Sequence, residues 1–421
     1  MKLVDNFMST FITMYNMKKN HQYIVAVLCF CTPVLLSCLS SQNDNDEKCD
    51  LGDYESITFH IDPRNVTSSL ETDQYTIDSV CSLIAPDSIG EFNATKYYVN
   101  NEKIYVLDTE VAQTILVFDI FGKYLYKLGG KGRAKNEYIG VPNDFFVAKN
   151  GDVHMYDPIA QNMLVFDNNG KYVRNFRIPW LHSFGLTSNG KYVYCYNYCI
   201  DSPDQKPDPS LLVYDAKLDV KKPLIPSKHF AYYFQPSFRT FFNNDVRLSH
   251  VPILSDSVVV FKNDSIEKVV RFDFKCGLLS KDKPEWVRFA ANYESPKGVN
   301  YADYHGVEAI YDYQETESLV LMNYGYKSKL ISWLYDKRTK KIVQNKNIFP
   351  IYCSDYCLFS DYILKGNQII AYVGKENVDV VNEYCESKEF DKSKCNMTSQ
   401  LLKDFRSGKI SVPALVYITI K

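Results

Sequence analysis

Lys103-Ile104-Tyr105-Val106-Leu107-Asp108 is followed by Ala112-Gln113, by Ile115-Leu116-Val117-Phe118-Asp119, and by Gly122-Lys123-Tyr124. Downstream, Asp152-Val153-His154-Met155-Tyr156-Asp157 leads through Ala160-Gln161 and Met163-Leu164-Val165-Phe166-Asp167 to Gly170-Lys171-Tyr172. The stretch Lys103 to Arg177 thus carries one pattern twice. Phe118 and Phe166 stand 48 positions apart, and so do Phe166 and Tyr214 of Leu211-Leu212-Val213-Tyr214-Asp215. A fixed period in that range marks stacked or radially repeated units.

Each copy resolves into four strands. In the second, Asp144 to Ala148 is a short apolar run and Asn150-Gly151 is a two-residue hairpin signal. Asp152 to Tyr156 alternates, and Asn162 to Phe166 follows a turn at Pro158. Asp167-Asn168-Asn169-Gly170 puts Asp first and Gly fourth in a type I turn before Lys171 to Arg177. Four antiparallel strands joined by tight turns make a propeller blade. The preceding copy uses Lys96 to Val99, Lys103 to Leu107, Ile115 to Phe118 and Tyr124 to Leu128.

Further units follow. Ser183 to Thr187, Lys191 to Tyr196 and Leu211 to Tyr214 give a third, interrupted by a Pro-rich excursion. Ser257 to Phe261 and Ile266 to Phe272 give a fourth. Ser318 to Asn323, Lys329 to Tyr335 and Lys341 to Asn345 give a fifth, after a polar and aromatic insertion from Cys276 to Glu308. Tyr362 to Leu364 and Gln368 to Val373 begin a sixth, which the polar segment Glu376 to Gly408 interrupts. In that segment a short helix places Leu401, Leu402 and Phe405 on one side and stops at Gly408. Ala414 to Ile420 ends the chain as a strand, and Ser56 to Ile61 alternates near the other end. Pairing those two would close the ring and remove its open edges. The expectation is an all-β, six-bladed β-propeller of four-stranded antiparallel blades over 54–421, closed by its N- and C-terminal strands. Seven blades is the alternative, because Ile77 to Ile84 and parts of Cys276 to Glu308 find no place.

Composition agrees with strands: aromatics are 14 %, with 33 Tyr and 25 Phe. A net charge of −2 lacks the basic face that a general nucleic-acid binder needs. Ahead of the repeats, Lys18-Lys19 precede an apolar run from Tyr23 to Leu36. It is short of the ~20 residues that span a bilayer and has the basic flank and length of a secretory signal. Residues 1–37 are therefore expected to be a signal peptide, with Met17 as its true start. The polar, aperiodic stretch 38–53 reads as a solvated tether.

Cleavage before Cys38 would leave that residue and nine other cysteines, too odd a set for complete internal pairing. Cys195 with Cys199 and Cys353 with Cys357 share a C-x3-C spacing, but no His accompanies them. Buried thiols or local disulfides fit better than zinc. The histidines are scattered and form no HExxH or other close set, so no metal and no cofactor is expected.

Leu35-Leu36-Ser37-Cys38 resembles a bacterial lipobox, which implies acylation of Cys38 and lipid anchoring in the outer membrane, on the cell surface or the periplasmic face. Asp44, Asp46 and Glu47 are similar to the acidic patch of surface-displayed lipoproteins, though further from the cysteine. The Y-V-x-D…V-F-D-x-x-G-K cadence resembles NHL-type blades. With the lipobox and Gly129-Gly130-Lys131-Gly132-Arg133-Ala134-Lys135-Asn136-Glu137-Tyr138, it resembles the six-bladed β-propeller lipoproteins of Bacteroides-type bacteria. There the segment reads close to G-x-G-R-G-P-G-E-Y: Gly132, Arg133, Glu137 and Tyr138 match, while Ala134-Lys135-Asn136 depart from it. The resemblance implies fold and envelope location, not a reaction.

Candidate binding residues are Arg133, Glu137 and Tyr138 on this connection, with Trp180 and His182 on the next. For Arg133 and Glu137 the plainer alternative is a structural turn in which they pair; for Trp180 it is packing between blades. No Walker A lysine and no G-x-S-x-G elbow is present, and the Asp of each V-F-D reads as turn chemistry. The sequence thus points to a membrane-anchored binding or interaction lipoprotein whose partner is a glycan, a peptide or an envelope protein. The alternative is a lactonase-like hydrolase or lyase acting at the central channel.

Overall fold

Ile104 to Leu107 and Ile115 to Phe118 are apolar at every position, a pattern that suits strands covered on both faces. All eight side chains are fully buried. In the computed structural model the described residues are 54–100, 102–178, 183–186, 192–195, 209–214, 220–226, 241–243, 247–252, 255–263, 265–282, 304–327, 329–353, 356–359, 361–388, 390–391 and 400–421.

Strands β1 (Glu55–Ile61) and β2 (Tyr75–Ser82) precede the repeats. The first antiparallel sheet is β3 (Lys96–Val99), β4 (Lys103–Asp108), β5 (Thr114–Asp119) and β6 (Tyr124–Leu128). The next is β7 (Asp144–Val147), β8 (Val153–Asp157), β9 (Asn162–Phe166) and β10 (Tyr172–Arg177). A third holds β11 (Ser183–Leu186), β12 (Tyr192–Cys195), β13 (Pro209–Tyr214) and β14 (Val220–Pro226). In a five-stranded sheet, β15 (Phe241–Asn243), β16 (Arg247–His250), β17 (Ser257–Lys262) and β18 (Ser265–Phe274) are antiparallel, and β1 lies parallel to β18.

Helix α1 (Leu279–Asp282) leads toward the sheet β19 (Val307–Glu315), β20 (Leu319–Tyr326), β21 (Lys329–Asp336) and β22 (Ile342–Asn345). A hairpin, β23 (Tyr352–Cys353) and β24 (Tyr356–Cys357), precedes β25 (Asp361–Lys365) and β26 (Gln368–Val373). Helices α2 (Lys375–Glu386) and α3 (Gln400–Arg406) come before β27 (Ala414–Ile420), and β2 completes the order β2-β27-β26-β25. The first strand of each sheet contacts the first strand of the next, from β3 through β7, β11, β15 and β19 to β25. The Tyr97 hydroxyl on β3 donates to the Ile370 carbonyl on β26 at 3.0 Å and brings the first and last sheets together.

Face-to-face stacking accounts for the doubly apolar strands. Tyr105, Leu107, Ile115 and Val117 pack on Phe145, Val147, Val153 and Met155 of the following sheet. Ile104, Val106, Leu116 and Phe118 face Ile370, Tyr372 and Leu415 of the closing sheet. Each buried side chain of this size contributes about 1.5–3 kcal/mol. Outer strands follow a different rule. The β5–β6 pairing shifts register at Phe118 and the β9–β10 pairing shifts at Tyr172, so Leu125 and Val173 are bulge residues. They are 40% and 52% exposed, which explains two apolar side chains left in solvent.

The terminal strands do pair, but the sequence expectation named the wrong one. Tyr75–Ser82, not Ser56 to Ile61, runs antiparallel to Ala414–Ile420. A register shift between Ile77 and Ser79 breaks the alternation of β2 and hides it from a period-2 reading. The alternation of β1 is genuine, but its partner is set by aromatic packing: the Phe59 ring lies 5.8 Å from Phe272 and 5.1 Å from Trp333. Similarly, β19 begins inside the stretch read as an insertion, because two register shifts interrupt its period. The short helix is where the sequence placed it, with Leu401, Leu402 and Phe405 buried and Gly408 at φ +72° beyond its end. Helix α2 was not foreseen. It buries only Val378 and Val381, too sparse a stripe to stand out in a polar segment.

A candidate binding face built from the blade connectors

The β4–β5 and β8–β9 turns lie at the same end of the blades as the connection from β6 to β7. Here the repeated Asp of Leu107-Asp108 and Tyr156-Asp157 explains itself. Both carboxylates are fully buried. Asp157 Oδ1 accepts the amides of Ile159 and Ala160, each at 3.0 Å, and of Gly140 at 3.2 Å, and Oδ2 accepts Ile139 N–H at 2.6 Å. Asp108 repeats the arrangement with Glu110, Val111 and Ala112 in its own turn and Asn93 in the incoming connection. One side chain therefore ties a hairpin turn to an irregular connector, using charge-assisted bonds. Each turn then passes through a left-handed residue, Gln113 at φ 52° and Gln161 at φ 53°.

The connector Gly129 to Tyr138 doubles back on itself. Gly132 N–H donates to Tyr138 O at 2.9 Å, and Tyr138 N–H to Gly130 O at 3.0 Å. Between them Glu137 N–H reaches Ala134 O at 3.0 Å, while Glu137 Oε2 accepts Ala134 N–H at 2.8 Å. A Cβ at Gly132 would stand 1.9 Å from Glu137 Oε2, so a larger residue there would push that carboxylate off the loop. Glu137 is thus committed to the loop backbone and not to Arg133, which is exposed. Tyr138 is 4% exposed and donates its hydroxyl to Gln113 O at 3.0 Å, and burial raises its pKa. It anchors the connector to the preceding turn. Trp180, His182 and Cys38 lie outside the described residues.

Nearer the axis, inner strands are joined by polar bridges that the sequence reading missed. Lys96 Nζ on β3 donates to Asp144 Oδ1 on β7 at 2.6 Å, and Asp144 Oδ2 accepts Phe184 N–H on β11 at 3.2 Å. Burial pushes the Asp144 carboxyl up, against the pull of Lys96 and of the Phe184 and Phe145 amides. The side chain of Gln314 on β19 does similar work toward β25: Nε2 donates to Tyr362 O at 2.7 Å, and Oε1 accepts Leu364 N–H at 2.8 Å. Lys96 and Asp144 occupy equivalent strand starts 48 positions apart. That equivalence was visible in the sequence, but not that the two would meet. His154 on β8 is buried, and its pKa falls to about 4 through burial first and Arg174 second.

The opposite ends of the blades are regular. Asp119 Oδ1 accepts Phe121 and Lys123 amides, and Asp167 Oδ1 accepts those of Asn169 and Lys171, all at 2.9 Å. These are the turn roles expected of the V-F-D aspartates. Among the described residues no group of three or more His, Cys, Asp or Glu is placed to hold a metal ion.

Together these features define an all-β propeller of four-stranded antiparallel blades. Residues 89–403 match the family model described as a domain of unknown function, DUF4934, and the chain belongs to that family. The fold is shared with an exported protein of Bacteroides fragilis at 16% identity and a TM-score of 0.66, over 87% of this chain and 99% of that one. A DUF4221 member from Bacteroides vulgatus matches at 11% identity and a TM-score of 0.44, over 83% of this chain and 99% of that one, too low to carry an argument. The same holds for virginiamycin B lyase of Staphylococcus aureus, at 9% identity and a TM-score of 0.38 over 82% of this chain and 100% of that one. No curated protein matches.

Proposed function

We propose that the chain is a lipid-anchored binding module of the bacterial cell envelope that presents its connector face to a ligand. In this reading residues 1–37 are a signal peptide, Cys38 carries the lipid in the outer membrane, and 38–53 tether the propeller. From Cys38 to Tyr54 the chain can reach at most ~55 Å, so the face can work at a distance from the bilayer. The ring has six blades: β15 to β18 form one of them, with β1 as an added outer strand. Support for that count comes from the shared strand order of the five-stranded sheet and the succession of inner-strand contacts.

The observation that carries the reading is the contrast between the two blade ends. One end has short repeated turns, while the other holds irregular connectors fixed by buried Asp108 and Asp157. Rigid scaffolds place recognition on such loops. The exported Bacteroides fragilis protein that shares the fold agrees with an envelope location. The test of the anchor is Cys38→Ala: wild type is expected in the membrane fraction and to incorporate labelled palmitate, and the variant in neither. A variant that stays with the membrane and still takes label would overturn the assignment.

A further inference from the structure

The connector face carries an unbalanced charge. Lys127 near the end of β6, Lys131, Arg133 and Lys135 on the connector, and Arg174 and Arg177 on β10 are all exposed. Among the described residues none of the six is in an ion pair. Among the described residues their side chains meet neutral groups: Arg174 lies 5.2 Å from the Phe176 ring centroid, and Arg177 Nη2 is 3.5 Å from Gln161 Oε1. Arg177 shares the connector's surface, because Asn175, on the same face of β10, donates Nδ2 to Lys135 O at 3.4 Å. Arg174, paired with Val165, and Lys127, paired with Leu116, lie on other sheet faces.

Among the described residues from Tyr124 to Ile178 no carboxylate is left to answer this charge. Between Tyr124 and Ile178, Asp144 and Asp157 are buried in the contacts given above. Asp152 and Asp167 serve turns at the opposite end, where Asp152 takes Asn150 Nδ2 at 2.8 Å and Asp167 takes backbone amides. Glu137 is held by its own loop. In a chain of net charge −2, such a cluster is a local feature rather than a consequence of composition. Cations on an edge strand also deter strand pairing. That role accounts for Arg174 and Arg177 but not for the three on the connector.

We propose that Lys131, Arg133, Lys135 and Arg177 form a subsite for a polyanionic glycan, a sulfated or carboxylated polysaccharide. The proposal rests on the connector face being the binding face and names its ligand class. A chain of regularly spaced anions suits cations spread along a loop and onto the adjoining strand. A single phosphate would use only part of this array. A nucleic acid would call for a more basic chain overall.

The test is titration of the full chain with dextran sulfate, with neutral dextran, duplex DNA and phosphatidylglycerol vesicles as comparisons. Dextran sulfate should bind in preference to all three, and its affinity should fall about tenfold or more between low salt and about 0.3 M salt. Combined Lys131→Glu, Arg133→Glu and Lys135→Glu should weaken binding at least about tenfold, and Arg177→Gln several-fold, with unchanged circular dichroism. Lys149→Glu with Lys171→Glu, at the opposite blade ends, should leave binding within about twofold. Absence of binding, equal binding of neutral dextran, or tighter binding of DNA or vesicles overturns the proposal. Binding that only the Lys149 and Lys171 changes weaken overturns it too, while leaving the broader binding-module reading in place.

Discussion

Replacing Asp157 should loosen the connector face more than any surface change could. Its carboxylate is fully buried and accepts four backbone amides, from Ile139, Gly140, Ile159 and Ala160. Hydrogen bonds to a charged acceptor contribute about 1.5–3 kcal/mol each, and an orphaned buried donor costs about 1–3 kcal/mol. The gross sum overstates the loss, because Ile139 and Ile159 are exposed and water can reach part of the freed backbone. Asp157→Asn keeps one oxygen as acceptor but turns an NH2 toward the remaining donors, so about 3 kcal/mol is expected. Asp157→Ala removes all acceptors and should cost about 4–5 kcal/mol, near the upper end for a single change. Urea unfolding of both variants measures the loss, and hydrogen exchange at residues 139–140 and 159–160 should lose protection first. Asp108→Asn, with no partner in common, should add to it nearly independently. If Asp157→Asn lay within about 0.5 kcal/mol of wild type, the repeated aspartates would not be what fixes the connectors.

Other consequences are more local. Lys96→Met leaves Asp144 buried without its cation and should cost about 3–5 kcal/mol, recovered in large part by adding Asp144→Leu. Gly122, at φ +84°, would place a Cβ 1.9 Å from the Ser82 carbonyl, so Gly122→Ala should cost about 2–4 kcal/mol. Gly366, at φ +60° in open space, should cost only about 1 kcal/mol on the same change. His154 titrates near 4 when folded against 6.5 when free. Below pH 6.5 the unfolded chain therefore binds a proton that the folded chain refuses, and stability falls as the pH drops toward 4, by about 3 kcal/mol in all. A His154→Gln variant should lose that part of the pH dependence.

Much of the wall was legible because it repeats. The Y-V-x-D and V-F-D-x-x-G-K cadences located β4 to β6 and β8 to β10, since a buried inner strand, a capped turn and a left-handed glycine each leave a residue signature. What the cadence did not reveal was pairing between distant segments. Register shifts concealed β2 and β19, and β1 was assigned to the wrong edge because alternation describes a strand's faces and not its partner. The candidate site was legible only as a place. Gly132, Glu137 and Tyr138 stood out by resemblance, yet all three serve the loop's own architecture, through the Glu137 carboxylate over Gly132 and the buried Tyr138 ring. The cations around them were inconspicuous because Arg177 joins the connector only through folding, across the Asn175 to Lys135 contact.

The most direct test of the account is amide hydrogen exchange of the full chain with and without saturating dextran sulfate. Protection is expected over 131–138 and 175–177, on the connector face, with no change over 149–152 and 167–171 at the opposite blade ends. Protection confined to those opposite turns, or spread evenly over the outer strands, would contradict the assignment of binding to the connector face.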